Sequence, residues 1–91
     1  MFIVVSYDIS DDQRRRRVFN ICKDYGTHVQ YSVFECNLDS IQLRRMHGRI
    51  QSVIDATEDN VRFYILCESC KGKIMVEGSG SVTEDVEVYI V

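Results

Sequence analysis

Apolar positions recur with two periods along the chain and divide it into strands and helices. Phe2–Tyr7 reads FIVVSY, a nearly continuous run of β-branched and aromatic residues. It predicts a strand buried on both faces that ends at Asp8. Ser10-Asp11-Asp12 follows, offering a helix N-cap at Ser10 or Asp11 and acid in the first turn. Val18, Ile21, Cys22 and Tyr25 fall at i, i+3, i+4 and i+7, one apolar stripe that carries the helix to about Tyr25. Gly26 then stands at the position where helices often end on glycine.

Thr27–Cys36 reads as one further strand, with Val29, Tyr31 and Val33 on one face and Gln30, Ser32 and Phe34 on the other. Asp39 or Ser40 caps a second helix reaching about Ala56, with Leu43, Met46, Ile50, Val53 and Ile54 as its buried stripe. Val61–Cys67 is a strand, Lys73–Val76 a short one, residues 77–85 a connector, and Val86–Val91 a terminal strand. Two helices set between strands of one sheet predict an α+β sandwich with both helices on one face. The terminal strand either closes its own sheet or pairs with a neighbour's edge.

Ninety-one residues make a single domain, 1–91, with 1–76 as its core. A chain this short buries a modest fraction of its surface, so a second subunit is a reasonable way to complete the core. A content of 45% hydrophobic and 27% charged residues excludes a disordered chain. The longest apolar runs, Phe2–Val5 and Phe63–Cys67, fall far short of the roughly 20 residues of a membrane span, so no membrane partner is expected. No signal peptide is visible, which gives the expectation of a cytoplasmic protein with free thiols at Cys22, Cys36, Cys67 and Cys70.

The formal charge of −3 hides a division. Residues 1–54 hold 8 Lys and Arg against 6 Asp and Glu, whereas residues 55–91 hold 3 against 8. The basic charge gathers in Arg14-Arg15-Arg16-Arg17 and again at Arg44, Arg45 and Arg49. Such a local patch can bind phosphate on an acidic protein, because the local field governs the contact. Helical residues splay about 100° apart, so four arginines form a broad band and cannot all meet one phosphate. Ion pairing of Arg15 and Arg16 with Asp11 and Asp12 is the structural alternative.

Asp8 stands where a rigid strand opens to solvent, a position that suits a metal ligand. One carboxylate does not hold a hard divalent cation, which takes several oxygens, but a symmetric dimer pairing two Asp8 side chains changes the count. Cys67 and Cys70 form a CxxC without the second pair a zinc ribbon needs. A redox pair usually sits at a helix N-terminus after a strand, and the expected strand after Lys71-Gly72 argues for structural cysteines. His28 starts a strand and could face phosphate, whereas His47 borders the core stripe of the second helix. Neither a Walker loop nor GxGxxG nor GxSxG is present.

Tyr7-Asp8-Ile9-Ser10-Asp11-Asp12, the arginine-rich helix start, Tyr25-Gly26 and Val29-Gln30-Tyr31-Ser32-Val33-Phe34-Glu35, at this spacing, resemble the small CRISPR-associated spacer-acquisition nucleases, the Cas two family. The specific stretch covers about residues 3–36, and the remaining elements also fit. The resemblance implies a ferredoxin-like fold with an antiparallel sheet and a homodimer whose C-terminal strand, residues 86–91, adds to the partner's sheet. It places the family's metal-binding and catalytic aspartate on Asp8, paired across the dimer to hold Mg²⁺ or Mn²⁺. It places nucleic-acid contacts on Arg15 and Arg17 of the Arg14–Arg17 band, and on Ser32 and Phe34. His28 stands where many members carry Arg or Lys, which weakens one phosphate contact and ties it to pH, since imidazole is a weaker base than either.

The implied activity is metal-dependent endonuclease cleavage of single-stranded RNA or double-stranded DNA. The implied assembly is the central dimer of a spacer integrase complex, bridging two dimers of a larger integrase subunit. The rival reading is a nuclease-inactive architectural dimer that holds DNA between integrase subunits. A third is an unrelated ferredoxin-like RNA-binding or regulatory module. Helix-borne arginines favour backbone contact with little base readout.

Overall fold

The computed structural model describes residues 1–84. The elements run β1 (Phe2–Asp8), α1 (Asp12–Tyr25), β2 (Thr27–Gln30), β3 (Val33–Asn37), α2 (Ser40–Gln51), β4 (Asn60–Leu66) and the short α3 (Glu68–Lys71). The sheet order is β2-β3-β1-β4, and every neighbouring pair is antiparallel. This βαββαβ arrangement is the ferredoxin-like fold.

One correction produces that topology. Thr27–Cys36 is not a single strand. The chain reverses at Tyr31-Ser32, so β2 and β3 form a hairpin. The register shifts between His28 and Gln30, and Tyr31 takes a positive φ of 29°. The reversal uses no glycine, proline, asparagine or aspartate, and Ser32 alone is a weak turn signal. Its reason is tertiary. Ser32 O accepts a hydrogen bond from Tyr7 N–H at 3.1 Å, and Phe34 packs on the helix side against Tyr7 and Phe19.

The core lies between one face of the sheet and the two long helices. Ile3, Val5 and Tyr7 of β1 and Phe34 and Cys36 of β3 meet Val18, Ile21 and Cys22 of α1 and Met46 and Ile50 of α2. Strand alternation sends Val4, Ser6 and Asp8 to the opposite, helix-free face. The Asp11 side chain caps α1, accepting from Arg14 N–H at 2.9 Å. Asp39 and Gln42 form a reciprocal capping box at the start of α2. That helix ends at Gln51 rather than near Ala56, because the Ser52 hydroxyl closes it onto Arg49 O at 2.7 Å and Asp55 builds a turn on Thr57.

Gly26 ends α1 in extended backbone, φ −161°, so its role is not left-handed geometry. A Cβ there would sit 2.5 Å from Glu35 O and collide with the Cys36 sulfur. Glycine is required for the close approach of β3 to the end of α1. Lys73–Val76 forms no strand, against expectation; α3 takes up the chain directly after β4. Residues beyond it run back across the hairpin, where Thr83 N–H donates to Glu35 Oε1 at 2.9 Å. The expected terminal strand, 86–91, lies outside the described residues.

Candidate functional site

Asp8 closes β1 on the helix-free face and is exposed. It pairs across the sheet with Asn60, and the preceding pair on that face is Ser6 with Arg62. The Arg62 guanidinium donates to Asn60 Oδ1 at 3.2 Å and to the Tyr64 hydroxyl at 3.3 Å, so a fixed cation stands on the same face as Asp8. The ion pairs among the described residues use Arg14, Arg15 and Arg49, and none involves Asp8. Among the described residues, no three His, Cys, Asp or Glu side chains gather into a metal-holding group. One chain thus places Asp8 outside any three-residue cluster of acids or histidines. Asp8 fits Mg²⁺ or Mn²⁺ only as half of a site, to be completed by a second copy, water and substrate oxygens.

The arginine run divides by direction. Arg14 points to the loop before β4, where Nε meets Asp59 Oδ2 at 2.8 Å and Nη2 reaches Glu58 Oε1 at 3.3 Å. Arg15 folds over the turn after Asp8, donating to Ile9 O at 3.1 Å and Ser10 O at 3.2 Å, and pairs with Asp12. Arg16 lies in a cleft of about 510 Å³ with Tyr7, Asp12, Arg15, Phe19, Tyr31 and Ser32. Arg17 lies on the other flank of α1, in a groove with Lys23, Asp24 and Arg49. The four arginines thus divide: the Arg14 guanidinium joins α1 to the β4 loop, Arg15 folds over the turn after Asp8, and Arg16 and Arg17 line separate clefts. The pairing of Arg15 is with Asp12, three residues away, and Arg16 enters no ion pair among the described residues.

The expected contacts from the hairpin separate similarly. Ser32 lines the cleft beside Arg15 and Arg16. Phe34 requires a correction: it is fully buried, with ring centroids 5.4 Å from Phe19 and 6.4 Å from Tyr7, and cannot touch a nucleic acid. It supports the hairpin from beneath. His28 is edge-on to Phe19 and tilted against Phe34, each at 5.0 Å, and its Nε2 contacts Tyr31 O. It braces the reversal as well as facing solvent. His47 lies 5.6 Å from Phe63 beside the core, as its place on α2 suggested.

Two groups were missed. Tyr31 is 87% exposed at the tip of the hairpin and lines the same cleft. Assigning it to a strand face hid its position at a turn. Arg62 was hidden because its nearness to Asp8 depends on β4 pairing with β1, across more than 50 positions. Within the cleft, burial pushes the Tyr7 phenol up, reinforced by Cys22 and opposed by Arg15.

Known proteins share this geometry. A solved hypothetical protein from Thermus thermophilus superposes with a TM-score of 0.80 at 38% identity, covering 91% of this chain and 96% of that one. Streptococcus pyogenes Cas2 superposes with a TM-score of 0.76 at 32% identity, over 86% of this chain and 100% of that one. In sequence, the CRISPR-associated endoribonuclease Cas2 3 of Chloroflexus aurantiacus is 41% identical across 100% of this chain and 98% of its own length. The CRISPR-associated endonuclease Cas2 2 of Thermus thermophilus is 40% identical over 94% of this chain and 91% of its own length. The family profile of the CRISPR-associated protein Cas2 matches residues 1–74, and with these relatives it shows that the chain belongs to the Cas2 family.

Proposed function

We propose that this protein is a metal-dependent endonuclease of CRISPR adaptation, cutting single-stranded RNA or duplex DNA as a symmetric homodimer. Support comes from relatives named endoribonuclease and endonuclease. The observation that carries the reading is Asp8: an exposed carboxylate, outside every ion pair of the described residues, at the tip of an inner strand. Two copies of Asp8 related by a dyad are the residues to hold Mg²⁺ or Mn²⁺. A bound divalent cation neutralises charge on the scissile phosphate and acidifies water. The chain's own residues do the positioning. Arg15 fixes the turn after Asp8, Arg16 and Arg17 attract the phosphate backbone, and Ser32 offers a hydroxyl to it. The C-terminal strand, 86–91, adds to the partner's sheet, and a larger integrase subunit flanks the dimer. The setting is the cytoplasm.

A second reading has its own observation. Asp8 belongs to no group of three or more His, Cys, Asp or Glu side chains among the described residues, so one chain builds no acid cluster around it. A nuclease-silent dimer that holds DNA between integrase subunits needs only the basic residues.

The test is cleavage of labelled single-stranded RNA and duplex DNA with Mg²⁺, Mn²⁺ or EDTA, by wild type and Asp8→Ala in parallel. Metal-dependent cutting that vanishes in the variant supports catalysis at Asp8. A folded, dimeric wild type that binds but cuts neither substrate supports the architectural reading.

A further inference from the structure

The function proposed above leaves Cys67 and Cys70 unused. In the structure β4 ends at Leu66 and Cys67 caps α3, so the pair does follow a strand and open a helix. The short strand expected after Gly72, which argued against redox chemistry, is absent. Both cysteines are exposed, and Cys67 Sγ accepts from Cys70 N–H at 3.4 Å. Residues i and i+3 across one helical turn have Cα atoms about 5 Å apart, within the roughly 4.4–6.8 Å that a disulfide spans.

The other two thiols differ. Cys22 and Cys36 are buried in the core, and burial pushes them up to about 12 and about 11. Hydrogen bonding from Cys70 N–H holds the Cys67 thiol below its ordinary value, while its contact with Cys67 raises that of Cys70. The Cys70 N–H aimed at Cys67 Sγ favours Cys67 as the attacking thiolate and leaves Cys70 to resolve.

We propose that Cys67 and Cys70 form a thiol–disulfide exchange site that accepts a glutathione-type disulfide oxidant and closes a bond across the first turn of α3. The Cys67 thiolate attacks one sulfur of the oxidant, making a mixed disulfide and releasing one glutathione thiolate. Cys70, giving up its proton, attacks the Cys67 sulfur and releases the second. Two cysteines are oxidised, two glutathione sulfurs are reduced, and the two protons end on the released thiols. The site lies at the end of β1 opposite Asp8: Leu66 pairs with Phe2, and the Lys71 ammonium sits 5.1 Å over the Phe2 ring. Closure fixes the turn through which the chain leaves the sheet.

The full chain is incubated with graded mixtures of reduced and oxidised glutathione, acid-quenched, alkylated with iodoacetamide and analysed by mass spectrometry. The expected product is lighter by two hydrogens before alkylation, carries a 67–70 link, and shows Cys22 and Cys36 alkylated only after unfolding. Cys70→Ser is expected to trap glutathione on Cys67, and Cys67→Ser to react more slowly at Cys70. Persistent glutathione adducts on wild type without closure, no reaction, or equal rates in the two variants would overturn the proposal. So would a stoichiometric zinc ion that blocks alkylation until it is chelated. Nuclease activity is not read in this experiment, so the outcome stands apart from that of the function proposed above.

Discussion

The Arg14 guanidinium grips the Asp59 carboxylate across 45 positions of sequence, with Nε at 2.8 Å from Oδ2 and Nη2 at 3.2 Å from Oδ1. The same carboxylate accepts Asp55 N–H at 2.8 Å. One acid thus joins the start of α1 to the loop that delivers β4. The Arg14 hydrogen bond leads the causes that hold Asp59 below the usual carboxylate range. A depressed acid contributes stability above its unfolded pKa, and that contribution is lost as pH falls through the folded value. Urea midpoints are expected to drop on acidification from about pH 5, and the Asp59→Asn variant to show a shallower acid limb and a lower midpoint at neutral pH. Arg14→Ala is expected to lower Tm, whereas Arg17→Ala leaves it unchanged.

The same contrast predicts binding. Each arginine that releases a counterion from nucleic acid contributes about 1 to the slope of log K against log salt, a little less on single strands. Filter binding of RNA or duplex DNA across a salt series is expected to show shallower slopes for Arg16→Ala and Arg17→Ala. Arg14→Ala at matched folded fraction is expected to keep the wild-type slope, because Asp59 and Glu58 already hold its guanidinium. A shallower slope for Arg14→Ala as well would return that residue to the phosphate-binding set.

Tyr31 and Phe34 separate binding from folding. Tyr31→Ala, at an 87% exposed site, is expected to leave the urea midpoint near wild type and to weaken single-stranded RNA binding, by about 1–3 kcal/mol if one base stacks on the ring. Phe34→Ala removes a fully buried ring and is expected to cost about 3–5 kcal/mol of stability. Equal loss of stability in both variants would show that the Tyr31 ring is part of the core.

Much of this architecture is legible in the residues. β1, α1, the Asp39 cap of α2 and the buried stripe through Met46 and Ile50 follow from local pattern alone, because period and capping are local properties. The hairpin at Tyr31-Ser32 does not, since Tyr31 favours a strand, Ser32 signals a turn only weakly, and the reversal is supported by tertiary contacts with Tyr7 and Phe34. At the site, Asp8 is visible because a strand end is a local feature. The fate of each arginine is not: Asp59 and Asp12 decide which guanidiniums remain for phosphate, and Asp59 reaches Arg14 only after folding. The CxxC pair shows the same limit: α3 forms between Cys67 and Gly72, and the strand expected at Lys73–Val76 is absent.

Gly26 gives a test of packing alone. Alanine suits extended backbone, so no dihedral strain arises, but its Cβ would press on Glu35 O and the Cys36 sulfur. Overpacking of this kind costs about 1–3 kcal/mol. Gly26→Ala is expected to lower the urea midpoint, while Gly48→Ala, with open space around it, is expected to be neutral or stabilising. Because the obstacle includes Cys36 Sγ, the Gly26→Ala, Cys36→Ala pair is expected to recover part of the loss. The backbone oxygen of Glu35 does not move away, so recovery stays incomplete. Full recovery would place the whole conflict at the sulfur, and no recovery would place it at the β3 backbone.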